Sequence, residues 1–241
     1  MDQDDAQLLL HRTPAFAGLG AGSLGPLAAT VTLLELPPEA IVFAQGDSPE
    51  WLYILGRGMV ALTAAASNGE TVIVDILERR EPFVAAAVLL DAPYALGART
   101  LRPTRLLRIG AARIRGMAAA DPVLADALTR EIARQYRRMV TQVADLKLRS
   151  VPQRLARHLL LLLGERRPGT EVRLPYDKRL LAARLGTRAE HLSRAFAALR
   201  ACGVTTHGAQ VAIADPAQLA TFAAVEAEMR KPADDPAPDQ A

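Results

Sequence analysis

Between Asp121-Pro122 and Leu148 the chain runs without a glycine or an internal proline, and apolar residues fall at Leu124, Leu128, Ile132, Met139, Val143 and Leu146, with the missing step at Gln135/Tyr136. No other feature restricts the fold so strongly. Proline and glycine are what end helices, and a stretch this long without either predicts one long helix. The spacing is close to 3.5, the period of a two-helix seam and narrower than the stripe a helix turns toward a broad core. It predicts a parallel dimer helix over 119–148. The alternative is a single long helix packed on its own chain's core. In both cases the helix divides the sequence into two halves.

The N-terminal half reads as short strands punctuated by turns. Thr32 to Leu36 stops at Pro37-Pro38, Ile41 to Phe43 at Gly46-Asp47, and Leu52 to Leu55 at Gly56-Arg57-Gly58. Met59 to Thr63, a turn at Asn68-Gly69 and Thr71 to Leu77 make a hairpin pattern, and Leu101 to Ile109 reads as a last strand. Strands at this spacing point to a small sandwich or barrel. The expected sensor domain is 1–118.

The C-terminal half reads as helices and a ribbon. Ser150-Val151-Pro152 is an N-cap-like start for a Leu-rich helix from Gln153 to Gly164, ending before Pro168-Gly169. Asp177 to Leu185 and Thr187 to Ala201 are two helices broken at Gly186, and Val204 to Ile213 follows as a short ribbon. That order is a winged helix-turn-helix over 149–225. The expected class is therefore α+β: an antiparallel β-barrel of jelly-roll type, a long dimerisation helix and a C-terminal winged helix-turn-helix. Residues 226–241 end in a Pro/Asp/Ala-rich stretch expected to be disordered.

Charge separates the halves further. The 241 residues sum to +3, but 1–110 carry 8 basic and 12 acidic groups, 148–214 carry 12 and 4, and the tail from Asp215 carries 2 and 6. The +8 segment is where a polyanion would bind. The longest apolar run, Phe83 to Leu90, has eight residues, against roughly 20 for a bilayer span, so no membrane partner is expected. The start Met1-Asp2-Gln3-Asp4-Asp5 is acidic where a secretory signal is basic, which points to the cytoplasm. The single cysteine, Cys202, excludes a disulfide framework, a cysteine zinc site and a four-cysteine iron–sulfur cluster within one chain.

At 100° per residue, with Glu190 as zero, Ser193 falls near about 300° and Arg194 near about 40°, while Leu192, Phe196 and Leu199 lie at roughly 180–240°. A recognition helix needs this division, with an apolar side fixing it to the domain and a polar side entering the major groove. Arg194 can pair bidentately with guanine, Glu190 can accept from the cytosine amino group, and Ser193 suits either. The bland alternative is a capping box at Thr187-Arg188-Ala189-Glu190 with an i,i+4 pair between Glu190 and Arg194. Arg173, Lys178, Arg179, Arg184, Arg188 and Arg200 in the same unit, with few acids to pair them, favour double-stranded DNA. Thr187, Arg188, Lys178, Arg179, Arg200 and, on the wing, His207 are the candidate phosphate contacts.

These residues resemble the cyclic-AMP receptor protein and fumarate–nitrate regulator (CRP/FNR) superfamily over nearly the whole chain. Phe43-x-x-Gly46 with Tyr53-x-Leu55-x-x-Gly58-x-Val60 matches the family's barrel signature, and Glu190-x-x-Ser193-Arg194 matches the E-x-x-S-R of members that recognise TTGA-containing half-sites. The resemblance implies a homodimeric transcription regulator that is not an enzyme, binds a TTGAT-like inverted repeat, and works as an activator with RNA polymerase. A β-barrel enzyme is the remote alternative: no His pair at metal spacing, P-loop or G-x-S-x-G is present.

The effector is where the sequence departs from the family. Cyclic-nucleotide binders have Phe-Gly-Glu and, about ten residues on, an arginine for the cyclic phosphate; here stand Phe83-Val84-Ala85 and Tyr94-Ala95. Arg99-Thr100 comes about five residues late. With no cation to compensate the phosphate, no cyclic nucleotide is expected. The run Phe83 to Leu90 and Asp91-Ala92-Pro93-Tyr94 are most similar to the dissimilatory nitrate-respiration regulators, which implies an apolar pocket with haem and a small gas, NO or CO. Phe83, Tyr94 and Met139 are the pocket candidates. His11, the one histidine before residue 158, is the haem-ligand candidate, with a surface histidine as its alternative. A ligand-independent regulator with a degenerate pocket fits the missing anchors equally well.

Overall fold

The period-two segments between residues 32 and 110 form eight strands in two antiparallel four-stranded sheets: β1 (Thr32–Leu36), β2 (Ile41–Phe43), β3 (Trp51–Arg57), β4 (Val60–Ala65), β5 (Thr71–Leu77), β6 (Pro82–Phe83), β7 (Gly97–Thr100) and β8 (Thr104–Gly110). The strand orders are β1-β8-β3-β6 and β2-β7-β4-β5. This computed structural model describes residues 8–65, 71–78, 80–164 and 171–224. The expected turns at Asn68-Gly69 and Pro168-Gly169 and the tail 226–241 lie outside the described residues. The chain divides into two compact units, Met1–Met139 and Val140–Ala241.

In the first unit each side of β3 meets a different core. Tyr53 and Leu55 point between the sheets, where they pack with Phe43, Val60, Leu77, Phe83, Tyr94, Ala98 and Leu106. Leu52 and Ile54 point the other way, with Leu107 and Ile109 of β8, against Leu10, Phe16 and the helices α1 (Ala21–Ala28), α2 (Ala85–Leu90) and α3 (Ala111–Ala120). A strand covered on both faces reads as an apolar run, which is why Leu52 to Leu55 shows no alternation. Between β3 and β4, Gly58 has a φ of +105°, and a Cβ there would lie 2.7 Å from the Thr104 Cα. Only glycine fits that crossing.

The expected last strand, Leu101 to Ile109, begins only at Thr104, because Leu101 to Pro103 form the turn that follows β7. Pro103 has no N–H to give a ladder. Leu101 N–H instead donates to Met59 O (2.8 Å) and Thr104 Oγ1 to Arg102 O (2.7 Å), closing a turn between β7 and β8.

The long helix is α4 (Pro122–Leu148), and the unit boundary falls inside it. Leu124 and Leu128 are fully buried in the first unit's core, whereas Met139 is 57% exposed and Val143 and Leu146 are also exposed. The 3.5 spacing therefore runs through two environments. Its first turns pack on their own chain, correcting a seam along the whole length, and only the distal apolar residues are left uncovered.

The second unit continues through α5 (Val151–Leu163), β9 (Glu171–Arg173), α6 (Lys178–Arg184), α7 (Ala189–Leu199), a 3-10 turn Arg200–Cys202, β10 (Val204–His207), β11 (Gln210–Ile213) and α8 (Pro216–Ala223). Ser150 caps α5 in a reciprocal box with Gln153, and Asp177 and Asp215 cap α6 and α8. The expected ribbon gains a third strand, since β9 pairs with β11. Among the described residues no helix is long and apolar enough to cross a membrane.

Candidate nucleic-acid interface and sensor interior

Helix α7 is divided as its sequence predicts. Leu192, Ala195, Phe196 and Leu199 are buried; Glu190, His191, Ser193, Arg194, Ala197 and Ala198 are exposed. The bland alternative does not form. The N-cap is Arg188, not Thr187, it has no side-chain cap bond, and among the described residues Glu190 and Arg194 have no ion pair with each other or with anything else. Ser193 Oγ donates back to Ala189 O at 3.2 Å, leaving its oxygen outward.

Lys178 and Arg179 lie exposed on the first turn of α6, Arg188 and Thr187 at the start of α7, and Arg200 just past its end. None of these four cations has an ion-pair partner among the described residues. Arg184 differs: it is half-buried with its guanidinium over the Tyr176 ring, 5.8 Å from the centroid. His207 is exposed at the tip of the β10–β11 hairpin, beside Gly208. His158 is inside the unit, its Nε2 3.1 Å from the Tyr176 hydroxyl. Burial, and then Arg184, pull its pKa down to about 4.

In the first unit Phe83 and Tyr94 do come together, with two rings that the pocket candidates omitted. Phe43 packs on Tyr94 at 4.1 Å and Tyr53 at 5.3 Å between centroids, and Tyr53 stacks on Phe83 at 5.5 Å. Tyr94 is also tied to the backbone, donating to Trp51 O (2.6 Å) and accepting from Trp51 N–H (3.1 Å). Burial pushes the Tyr53 hydroxyl up to about 12. Met139 is exposed and does not join these rings. The signal for the missed pair was the strand period, which places Tyr53 and Leu55 on the same face of β3.

The polar anchors are replaced or engaged elsewhere. Ala85 is buried, Arg99 is paired with Glu39 at 2.6 Å, and Thr100 Oγ1 donates to Pro37 O at 2.6 Å. Val84, at the glycine position of the family's Phe-Gly-Glu, has φ +59° and ψ +19°, a left-handed conformation that favours glycine. A second missed feature is a polar link from β6 to α4: Gln135 Nε2 donates to Pro82 O (2.7 Å) and to the buried Glu131 (2.9 Å), and Arg138 pairs with Glu81. His11 is exposed, and no group of three or more His, Cys, Asp or Glu side chains able to hold a metal occurs among the described residues.

A two-sheet domain ahead of a winged helix-turn-helix is the build of a DNA-binding transcription regulator. Residues 33–121 match the cyclic nucleotide-binding domain and residues 153–222 the Crp-like helix-turn-helix domain. The chain is a CRP-like DNA-binding transcription regulator, not an enzyme. A CRP-like cAMP-activated global transcriptional regulator of Mycobacterium tuberculosis is 27% identical to it over 217 residues, 88% of this chain and 97% of the relative. DNR from Pseudomonas aeruginosa is 28% identical, with 92% of this chain and 99% of that one covered and a TM-score of 0.50. FixK2 from Bradyrhizobium japonicum, 21% identical, shares the fold over 81% of this chain and 98% of its own, with a TM-score of 0.68.

Proposed function

We propose that the chain is a homodimeric regulator that reads a TTGAT-like inverted repeat with Glu190, Ser193 and Arg194, while Thr187, Arg188, Lys178, Arg179, Arg200 and His207 hold phosphates. The observation that carries the reading is that Glu190 and Arg194 are exposed, with no ion-pair partner among the described residues, on a helix whose opposite face is buried. Water satisfies such groups in the free chain, and base edges in the major groove can take its place. In this reading 1–118 is the sensor, 119–148 the dimerisation helix, with Met139, Val143 and Leu146 in its seam, and 149–225 the DNA-binding domain. RNA polymerase is the further partner of an activator of this kind, and the cytoplasm is where both are met.

A fluorescence titration against a TTGAT palindrome and a scrambled duplex at physiological salt tests the reading. Preference for the palindrome is expected; equal affinity would sink it.

The effector we propose is not a cyclic nucleotide, although the mycobacterial relative is cAMP-activated by name. Ala85 and the backbone-bound Tyr94 stand where an acid and a cation would be needed, and Arg99 is held by Glu39. Calorimetry with cAMP should show no heat of binding. The likeness to DNR favours the nitrate-respiration branch, with haem and NO or CO in an apolar interior. The ring cluster favours a second reading, in which the interior is filled by its own side chains and the regulator is ligand-independent. Exposed His11 offers haem little shelter. A Soret band that shifts on adding NO or CO supports haem, and colourless protein that takes up no hemin supports the second reading.

A further inference from the structure

We infer that Arg108 and Tyr53 form a binding site for a small monocarboxylate at the rim of the space between the two sheets; this rests on the reading of that interior as an effector pocket and names its ligand class. The site is built on β3 and β8. Register sets Tyr53 directly opposite Arg108, with Thr32 of β1 on the other side. Side chains two apart on a strand share a face, so Arg108 points with Leu106 into the space between the sheets, while Leu107 and Ile109 point into the other core. Trp51, two residues before Tyr53 on β3, stands at the rim, and the Arg108 guanidinium covers its ring at 4.2 Å from the centroid.

Both groups carry a donor with nothing to receive it. Arg108 Nε is buried without a hydrogen-bond partner, and Arg108 forms no ion pair among the described residues. Tyr53 is 4% exposed, and its hydroxyl likewise meets no acceptor among the described residues. Its ring neighbour Tyr94 shows the ordinary arrangement, with its hydroxyl bonded to the Trp51 backbone. Burial raises the Tyr53 hydroxyl to about 12, so it stays protonated and remains a donor at neutral pH. A buried donor left unpaired costs more than a made hydrogen bond returns, so two such donors side by side call for a shared acceptor.

Charge selects that acceptor. One guanidinium and one neutral phenol give a single positive charge, and the guanidinium fork matches a carboxylate. Asp47 and Glu50, both exposed, lie close enough to push the Tyr53 hydroxyl up further, and these two acids oppose a dianion such as phosphate. Phe43, Phe83 and Tyr94 are packed around Tyr53 and offer contact to an apolar body. The cation comes from β8, whereas cyclic-nucleotide members carry theirs after the Phe-Gly-Glu segment.

Trp51 is the one tryptophan of the chain, so its fluorescence reads the site directly. The full chain is titrated with butyrate, and separately with n-butanol and inorganic phosphate at matched ionic strength. A saturable change with butyrate alone is expected, lost in Arg108→Gln and weakened about tenfold in Tyr53→Phe. No saturable change with butyrate, or an equal one with butanol or phosphate, would overturn the site. Denaturant unfolding supplies a readout that needs no Arg108 variant to fold. Because the Tyr53 hydroxyl has no partner in the free chain, Tyr53→Phe should be at least as stable as the parent without butyrate and less stable than the parent with it. A loss of stability without butyrate would give the hydroxyl a structural role and remove the site. Affinity for the TTGAT duplex in saturating butyrate is measured separately: an unchanged value leaves the site standing and sinks the effector reading on which its regulatory role rests.

Discussion

Gly186 sits directly against Leu146: its φ is +62°, and a Cβ on it would lie 2.5 Å from the Leu146 Cδ2. The turn between the two helices of the helix-turn-helix is thereby seated on the last turn of the long helix. The Leu146 methyl ends a side chain that can yield, so the left-handed backbone supplies most of the penalty for a larger residue. Gly186→Ala should cost about 1–2 kcal/mol. Gly186→Asn should cost less, because asparagine tolerates this conformation. Denaturant unfolding of the full chain measures both, and equal losses would remove the conformational explanation.

Val84 provides the converse case. A β-branched residue at φ +59° is strained, and its side chain is only half-buried. Truncation to Ala and to Gly removes nearly the same packing, so their difference isolates the backbone. Val84→Gly should be more stable than Val84→Ala by about 1 kcal/mol, the reverse of the order at a helical or extended position. Alanine proving the more stable of the two would show that the turn relaxes.

His158 makes stability depend on pH. Its folded value is pulled down from 6.5 to about 4. Between those values the unfolded chain binds a proton that the folded chain does not, so stability is full above about pH 6.5 and falls as pH drops toward 4. Each pH unit in the window is worth about 1.4 kcal/mol, so unfolding at pH 5 should need roughly 2 kcal/mol less than at pH 7 from this group. His158→Gln should flatten that part of the profile. An unchanged slope in the variant would place the acid sensitivity elsewhere.

The two kinds of contact assigned to the basic surface separate in a salt titration. Arg194→Ala should relax discrimination at the guanine by about 1–3 kcal/mol, whereas Arg188→Ala should weaken all duplexes alike and lower the salt slope by about 1. Uniform weakening by Arg194→Ala would make it a phosphate contact.

Much of this was legible from local pattern. β1, β2 and β5 have the ends that their turns and alternation predict, and α4 begins and ends where proline and the Arg149-Ser150 link require. The two faces of α7 follow from counting at 100° per residue, because the helix period needs no knowledge of what lies opposite. The later start of β8 was present in the sequence as the missing donor at Pro103, yet Leu101 and the apolar residues Leu106, Leu107 and Ile109 concealed it.

What local pattern could not carry is the identity of each neighbour. A spacing of 3.5 is the same whether Leu124 meets its own chain's core or Met139 meets solvent, and only the folded chain separates them. Phe43 and Tyr53 enter the ring cluster from strands whose register with β7 and β8 is set far away in sequence, and the same is true of Arg154 at the carbonyl of Leu185. The sequence by itself determined the long helix, the helix-turn-helix order of α6 and α7, the charge division and the face of α7, all of which arise from local composition and periodicity. The tertiary structure alone decided which rings fill the sensor, which arginines are already engaged and where the long helix stops being core, because those depend on contacts between residues tens of positions apart.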